Sequence, residues 1–377
     1  MKPGIYDTID EIDISAIEKL KGAELDFSHG LLKAVEKGLW GDLSVKYLSL
    51  ESGGEILSLI PVYYGTNINI NALLPAGFQK TYNALVDFIG DSLKTPFLIA
   101  GSLISDKGWI PMVSGCDERK VVREMVKYID SFARSQKVKV AMIKDIHCSF
   151  PQALISEIEV QNYKKLYSLP TVVIDTDVDN FAAYTKTLTK NSRKHARKVE
   201  KSASDVFQFE VINDYSHLID EIFPLFRATY LKARYQFDEA LPIFFEECSK
   251  SISPKTELIT CRYKNKIVGA LINFYNESEQ LNKRIGIDYS CEYTPLIYTS
   301  LMYQGIRSAI DKSLKKVYLG QSTYVPKVRL GGSVEDEYFY VKAYDPLLKL
   351  SMPWQVKYSQ KFRCEEVIRL ASEGVSA

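Results

Sequence analysis

From Ser44 an apolar-rich run, Val45-Lys-Tyr-Leu-Ser-Leu-Glu51, breaks at the polar Ser52-Gly-Gly-Glu55 and resumes as Ile56-Leu-Ser-Leu-Ile-Pro-Val-Tyr-Tyr64. Two strand-like runs joined by a short polar turn predict a β-hairpin. The same grammar returns at Glu257-Leu-Ile-Thr-Cys-Arg-Tyr263, with the turn at Lys264-Asn-Lys266 and the second arm at Ile267 to Tyr275. A helical segment precedes each hairpin, Ser15 to Lys37 in the first half and Tyr215 to Tyr235 in the second. Strand, helix and strand follow each one: Phe97 to Leu103, Asp117 to Ser135 and Lys139 to Lys144, then Gln280 to Tyr289, Pro295 to Ser313 and Lys316 to Leu319. Val121, Val122, Met125, Val126, Ile129 and Phe132 recur at helical spacing, as do Ile297, Leu301, Ile306, Ala309 and Ile310. The order helix, hairpin, strand, helix, strand thus occurs twice, and the first copy carries an insertion placed between Gly65 and Thr95.

The duplication predicts an α/β protein of two similar domains, 1–165 and 166–377, each a mixed sheet flanked by helices. Length agrees, since 377 residues exceed what one hydrophobic core usually organises. A formal net charge of +1 gives no global pull toward nucleic acid or anionic lipid. Cys116, Cys148, Cys248, Cys261, Cys291 and Cys364 form no C-x-x-C pair, and His29, His147, His195 and His217 show no ligand spacing, so no metal site is expected. Neither a signal peptide nor an apolar run long enough to span a bilayer is present, which makes a cytoplasmic location the expectation.

The halves differ in one respect. The last strand of the second leads into Gly320-Gln-Ser-Thr-Tyr-Val-Pro-Lys-Val-Arg-Leu-Gly-Gly332, which crowds Gln321, Tyr324, Lys327 and Arg329 between glycines. A core segment spends few positions on polar groups, because each one buried needs a partner. The first half has no such loop, so the second is expected to be the working half and the first a degenerate copy. Lys186, Lys190, Arg193, Lys194, Arg197, Lys198 and Lys201 crowd a predicted basic helix, on which Lys186, Lys190, Lys194 and Lys198 would form one stripe. Such a stripe suits phosphates, an acidic carrier protein or a tRNA backbone.

The repeated order resembles the GNAT acyltransferase fold. Two such halves in one chain resemble the Fem-type aminoacyltransferases of peptidoglycan synthesis and the related acetyltransferase-like peptidoglycan biosynthesis or recognition family. Leu188-x4-Arg193-x3-Arg197, Arg284-Ile-Gly-Ile-Asp-Tyr289 and Gly320-x3-Tyr324-x2-Lys327 carry the likeness, over about residues 180 to 345. The resemblance implies transfer of an acyl or aminoacyl group to an amine of a small metabolite or cell-wall-type precursor. It implies no permanently held cofactor and, as co-substrate, an acyl-CoA, an acyl carrier protein thioester or an aminoacyl-tRNA. It implies that the donor enters where the strands ending near Tyr289 and Leu319 part. Lys327 would then stabilise the oxyanion, Tyr324 protonate the leaving group and Asp288 accept the amine's proton. Gly320, Gln321, Arg329, Tyr289, Arg193, Arg197 and Tyr235 would bind substrate.

One departure bears on the donor. Enzymes of this fold that use coenzyme A hold its pyrophosphate in a glycine-rich loop at a helix N-terminus, whereas Asp288 to Leu296 contains no glycine and includes Glu292. Thr294 is expected to cap the helix with Pro295 as its first residue. The alternative to an enzyme is a binding module that keeps the fold and holds an anionic partner on the basic helix.

Overall fold

In the computed structural model the chain is described over residues 1–21, 25–38, 43–66, 96–104, 107–233, 239–251, 255–321, 323–346, 348–350, 352–357 and 359. Most of the expected insertion between Gly65 and Thr95, and Tyr235, lie outside the described residues.

Among the described residues the first unit takes those up to Leu169 and from Asp336 on, and the second takes those between Pro170 and Glu335. The first unit holds β1 (Lys2–Tyr6), β2 (Leu20–Lys21), β3 (Ser44–Ser52), β4 (Glu55–Gly65), β5 (Phe97–Ala100), β6 (Met112–Val113), β7 (Val140–His147) and β8 (Lys164–Tyr167). The second holds β9 (Thr171–Asp175), β10 (Gln208–Ile212), β11 (Lys255–Tyr263), β12 (Lys266–Tyr275), β13 (Glu279–Ile287), β14 (Lys316–Gln321) and β15 (Ser333–Glu335), after which β16 (Glu337–Ala343) follows. The sheets run β1-β3-β4-β5-β7-β16-β8 and β10-β11-β12-β13-β14-β9-β15.

Both expected hairpins form, β3 with β4 and β11 with β12. Their turns use left-handed backbone at consecutive positions, Gly53 (φ 62°) with Gly54 (φ 84°) and Lys264 (φ 49°) with Asn265 (φ 66°), the torsions that match the strands' own twist. In each unit the next strand joins antiparallel, a helix crosses one face, and the strand after it returns parallel: β5 beside β7, and β13 beside β14. The crossing helices are Glu118–Ser135 and Thr294–Asp311, and both bury the apolar positions read from periodicity. Leu48, Ile60, Leu98, Val122, Met125 and Ile143 share one core; Val172, Tyr184, Tyr303, Ile306, Val317 and Tyr324 share a core of the second unit.

The division differs from the 165/166 boundary in one substantial way. The described residues beyond Glu335 do not stay with the second unit, because β16 pairs antiparallel with β7 on one side and β8 on the other. A short apolar run such as Tyr338 to Val341 carries no mark of which sheet it joins. Two other points differ. Lys327 and Arg329, read as part of a polar loop, sit on a short helix, Tyr324–Arg329. The basic segment is also two helices, Phe181–Thr187 and Lys190–Ser204: Leu188 and Thr189 between them are extended, and the Thr189 hydroxyl accepts from the Ser192 N–H to start the second. Lys186 therefore does not share a helix with Lys190, Lys194 and Lys198.

Candidate functional site

β13 and β14 are the parallel neighbours of the second unit, yet they pair over three positions alone, Glu279 with Lys316 through Leu281 with Tyr318. Beyond that point β13 runs on to Ile287 against β12, while β14 runs on to Gln321 against β9. Residues 282–287 and 319–321 therefore flank a wedge. On the β14 side the register with β9 slips at Leu319, and Gly320 takes φ +76°, a left-handed value natural to glycine. On the β13 side the Asp288 N–H donates to the Val268 carbonyl at 2.8 Å. Successive strand N–H groups point to opposite edges, so that of Ile287 faces the wedge.

Among its described residues the first unit has no such opening. β5 and β7 pair from Phe97 with Val140 to Ala100 with Ile143, and Gly108 then bridges to Ile146 in parallel. The Gly108 N–H donates to the Asp145 carbonyl at 2.7 Å and its carbonyl accepts from the His147 N–H at 3.2 Å. Glycine permits this approach, since a Cβ at 108 would stand 2.3 Å from the Asp145 carbonyl oxygen. The chain's own backbone thus occupies the place that is open in the second unit.

Gly320, Gln321 and Lys327 come together at the wedge's β14 lip. Lys327 is 4% exposed, and its ammonium donates to the carbonyls of Gly320 and Gln321, each at 2.9 Å. A buried cation between two carbonyls fixes where the strand ends and brings positive charge to the lip. Tyr324 is buried in the core of this unit, and its hydroxyl donates to the Pro170 carbonyl at 3.0 Å. Arg329 is exposed and lies within electrostatic reach of His195 on the basic helix.

Asp288 and Tyr289 follow the β13 lip. The Asp288 carboxylate accepts from Lys266 Nζ at 2.7 Å and from the Ser290 N–H and hydroxyl at 3.0 and 2.5 Å. The Lys266 bond leads the causes that hold its pKa below the ordinary carboxylate value. Tyr289 is half-buried beneath the Lys232 ammonium, 4.0 Å above its ring. The next helix begins at Thr294 with Tyr293 as its N-cap. The Thr294 hydroxyl donates back to the Cys291 carbonyl at 2.7 Å, so the expected threonine cap is not made. Glu292 accepts from the Tyr263 hydroxyl at 3.2 Å.

Arg193 and Arg197 lie on the helix Lys190–Ser204. Arg193 Nη2 donates to the carbonyls of Lys186 and Leu188 at 3.0 and 3.1 Å, closing the preceding helix, and Arg197 is exposed. His195 is half-buried, and its Nδ1 has no hydrogen-bond partner among the described residues. Burial, then Arg329 and Lys198, push its pKa below the ordinary histidine value. Sequence reasoning gave no sign that Thr229, Lys266 and Gly108 bear on the site. A hydroxyl on a helix, a lysine in a hairpin turn and a glycine in a loop carry no spacing signal of their own.

The FemAB-like family, described as peptidoglycan biosynthesis/recognition, matches residues 107–324, more than half of the chain. The fold is similar to that of FemX, with a TM-score of 0.62 at 9% identity over 93% of this chain and 99% of that one. It is also similar to a conserved protein from Bacteroides thetaiotaomicron, with a TM-score of 0.57 at 10% identity over 90% and 99%, and to L-PGS from Bacillus licheniformis, with 0.54 at 9% over 90% and 94%. Among curated proteins, the 8-amino-7-oxononanoate synthase 2 of two Mycobacterium tuberculosis strains is 21% identical over 301 residues. That match covers 74% of this chain, and the chain spans 39% of the length of those relatives.

Proposed function

The chain belongs to the FemAB-like family, and we propose on that premise that it is an acyltransferase whose second unit moves an acyl or aminoacyl group onto an amine. The observation that carries this reading is the wedge between β13 and β14, open in the second unit and closed by Gly108 in the first. A donor chain lying there would bring its reacting carbonyl to the lip held by Lys327. The acceptor is an amine of a small metabolite or of a cell-wall-type precursor. The donor is an acyl-CoA, an acyl carrier protein thioester or an aminoacyl-tRNA.

Transfer to an amine requires a neutral nucleophile, stabilisation of the tetrahedral oxyanion and a proton for the leaving group. Lys327 contributes to the second by placing a buried positive charge at the lip, where a low local dielectric strengthens it. Asp288 is a poor choice for the first, because a carboxylate with a lowered pKa is a weak base. Tyr324 is a poor choice for the third, with its hydroxyl already donating to Pro170 in the core.

Those commitments favour a second reading, a non-catalytic module of the same fold that binds an anionic partner on the helix Lys190–Ser204. The two separate by mass spectrometry of reaction mixtures containing coenzyme A, carrier-protein and aminoacyl-tRNA donors with amine acceptors. Acylated product from wild type, retained in Asp288→Asn, supports the enzyme. No product from any donor, together with a rise in melting temperature on adding a phosphorylated ligand, supports the module.

A further inference from the structure

The wedge edge of β13 is partly occupied by this chain itself. Ile285 and Ile287 direct their N–H groups to that edge, by alternation from Asp288, whose N–H binds Val268 on β12. The Ile287 N–H donates to Oγ1 of Thr229 at 3.1 Å. Thr229 belongs to the helix Ile219–Lys232, which lies against β13 at Gly286. The fit is close: a Cβ at 286 would stand 2.7 Å from the Phe226 nitrogen and 2.9 Å from the Leu225 carbonyl carbon. One helical turn beyond that contact, Thr229 reaches the strand's free edge.

A threonine hydroxyl has one proton to give as well as lone pairs to accept with. Among the described residues the Thr229 hydroxyl donates to no acceptor, so its proton is available at the mouth of the wedge. Accepting from the Ile287 N–H also polarises the hydroxyl and makes it a better donor. A strand edge presenting N–H groups recognises an extended chain with carbonyls at matching intervals, as when a peptide adds to a sheet. Ile285 offers such a group directly, while Thr229 moves the next one outward by a hydroxyl's width. A chain bound there would start against the strand and then be led off it before Asp288 and Glu292, whose carboxylates lie beyond.

We propose that Thr229 is a positioning residue that, held by the Ile287 N–H, donates its hydroxyl proton to a carbonyl of an extended secondary-amide chain bound in the wedge. Such a chain is the arm of a pantetheine thioester or the backbone of a peptide acceptor. The inference rests on the acyl-transfer reading for making the wedge the working site.

The test titrates the full-length protein with two probes of that chemistry, pantetheine and N-acetyl-tetraalanine amide, in wild type, Thr229→Ser and Thr229→Val. Wild type and the serine variant should bind at least one probe with dissociation constants within about twofold of each other. The valine variant should bind it roughly five- to tenfold more weakly, the weight of one hydrogen bond. The probe that binds tells a donor arm from a peptide. In wild type the Ile285 and Ile287 amide resonances should shift with the bound fraction, a readout that holds even where Thr229→Val fails to fold. Unmoved amides, valine binding as tight as wild type, or no binding of either probe would each overturn the proposal. Thr229-dependent binding in a chain that transfers no acyl group would sink the transfer reading and leave this inference standing. Transfer with binding indifferent to Thr229 would do the reverse.

Discussion

The Lys327 ammonium lies 2.9 Å from the carbonyl oxygen of Gly320, seven residues earlier, and 2.9 Å from that of Gln321. A lysine 4% exposed and bonded in this way is part of the fold as much as of any chemistry. Lys327→Ala would remove two charge-assisted bonds and leave buried carbonyls without those partners, at a cost of about 2–4 kcal/mol. Urea denaturation measures it. A variant as stable as wild type would contradict the clamp, and activity lost by Lys327→Ala has to be corrected for the fraction unfolded.

Glu257 on β11 is wholly buried in the second unit. It accepts from Asn273 Nδ2 at 2.8 Å, from the Ser308 hydroxyl at 2.6 Å and from Lys312 Nζ at 2.6 Å, tying β11, β12 and the helix Thr294–Asp311 together. Removing the cation while keeping the carboxylate strands a buried charge, so Lys312→Met should cost about 3–5 kcal/mol. Adding Glu257→Gln should return part of that loss. A double variant no more stable than the single one would show that the pair is not coupled.

In the first unit Glu157 receives Arg119 and Arg123 from the neighbouring helix, at 2.7 Å each, and these bonds hold its pKa down to about 2. The sign follows from linkage. A carboxyl with a lower pKa folded than unfolded stabilises the fold above its ordinary value, 4.5, and loses that contribution as pH falls toward 2. Wild type should therefore weaken between about pH 5 and 2 more than Glu157→Gln does, in guanidinium melts followed by pH. Parallel acid limbs would remove the ion pairs from the account of stability.

His195 gives an opposite charge state to follow. Its neutral form is favoured by burial and by Arg329 and Lys198, so stability linked to it is present above the ordinary histidine pKa and declines as the ring protonates at lower pH. Arg329→Gln should move the His195 midpoint upward in an NMR titration. A midpoint unchanged by that substitution would mean that Arg329 does not face the imidazole.

Local rules made much of the fold legible. Val45 to Tyr64 and Glu257 to Tyr275 are apolar-rich runs broken by short polar turns, and Val121 to Ala133 repeats at helical spacing, so strand and helix follow from neighbours in sequence. The meaning of Glu337 to Ala343 was hidden because a strand's partners are set by the whole sheet, and here they are β7 and β8. The gathering of Gly320, Gln321 and Lys327 was legible as composition. Its hydrogen bonds were not, since Lys327 and Arg329 at alternate positions read equally well as a strand, and Pro326 fits the first turn of the short helix that forms. Thr229 gave no signal, because its role depends on an N–H fifty-eight residues away.

A crystal structure of the full chain with an acyl donor that supports turnover tests the central claim most directly. The account predicts ligand density between residues 282–287 of β13 and 319–321 of β14, with the reacting carbonyl toward the Lys327 lip. Density confined to the helix Lys190–Ser204, with the wedge empty, would contradict it.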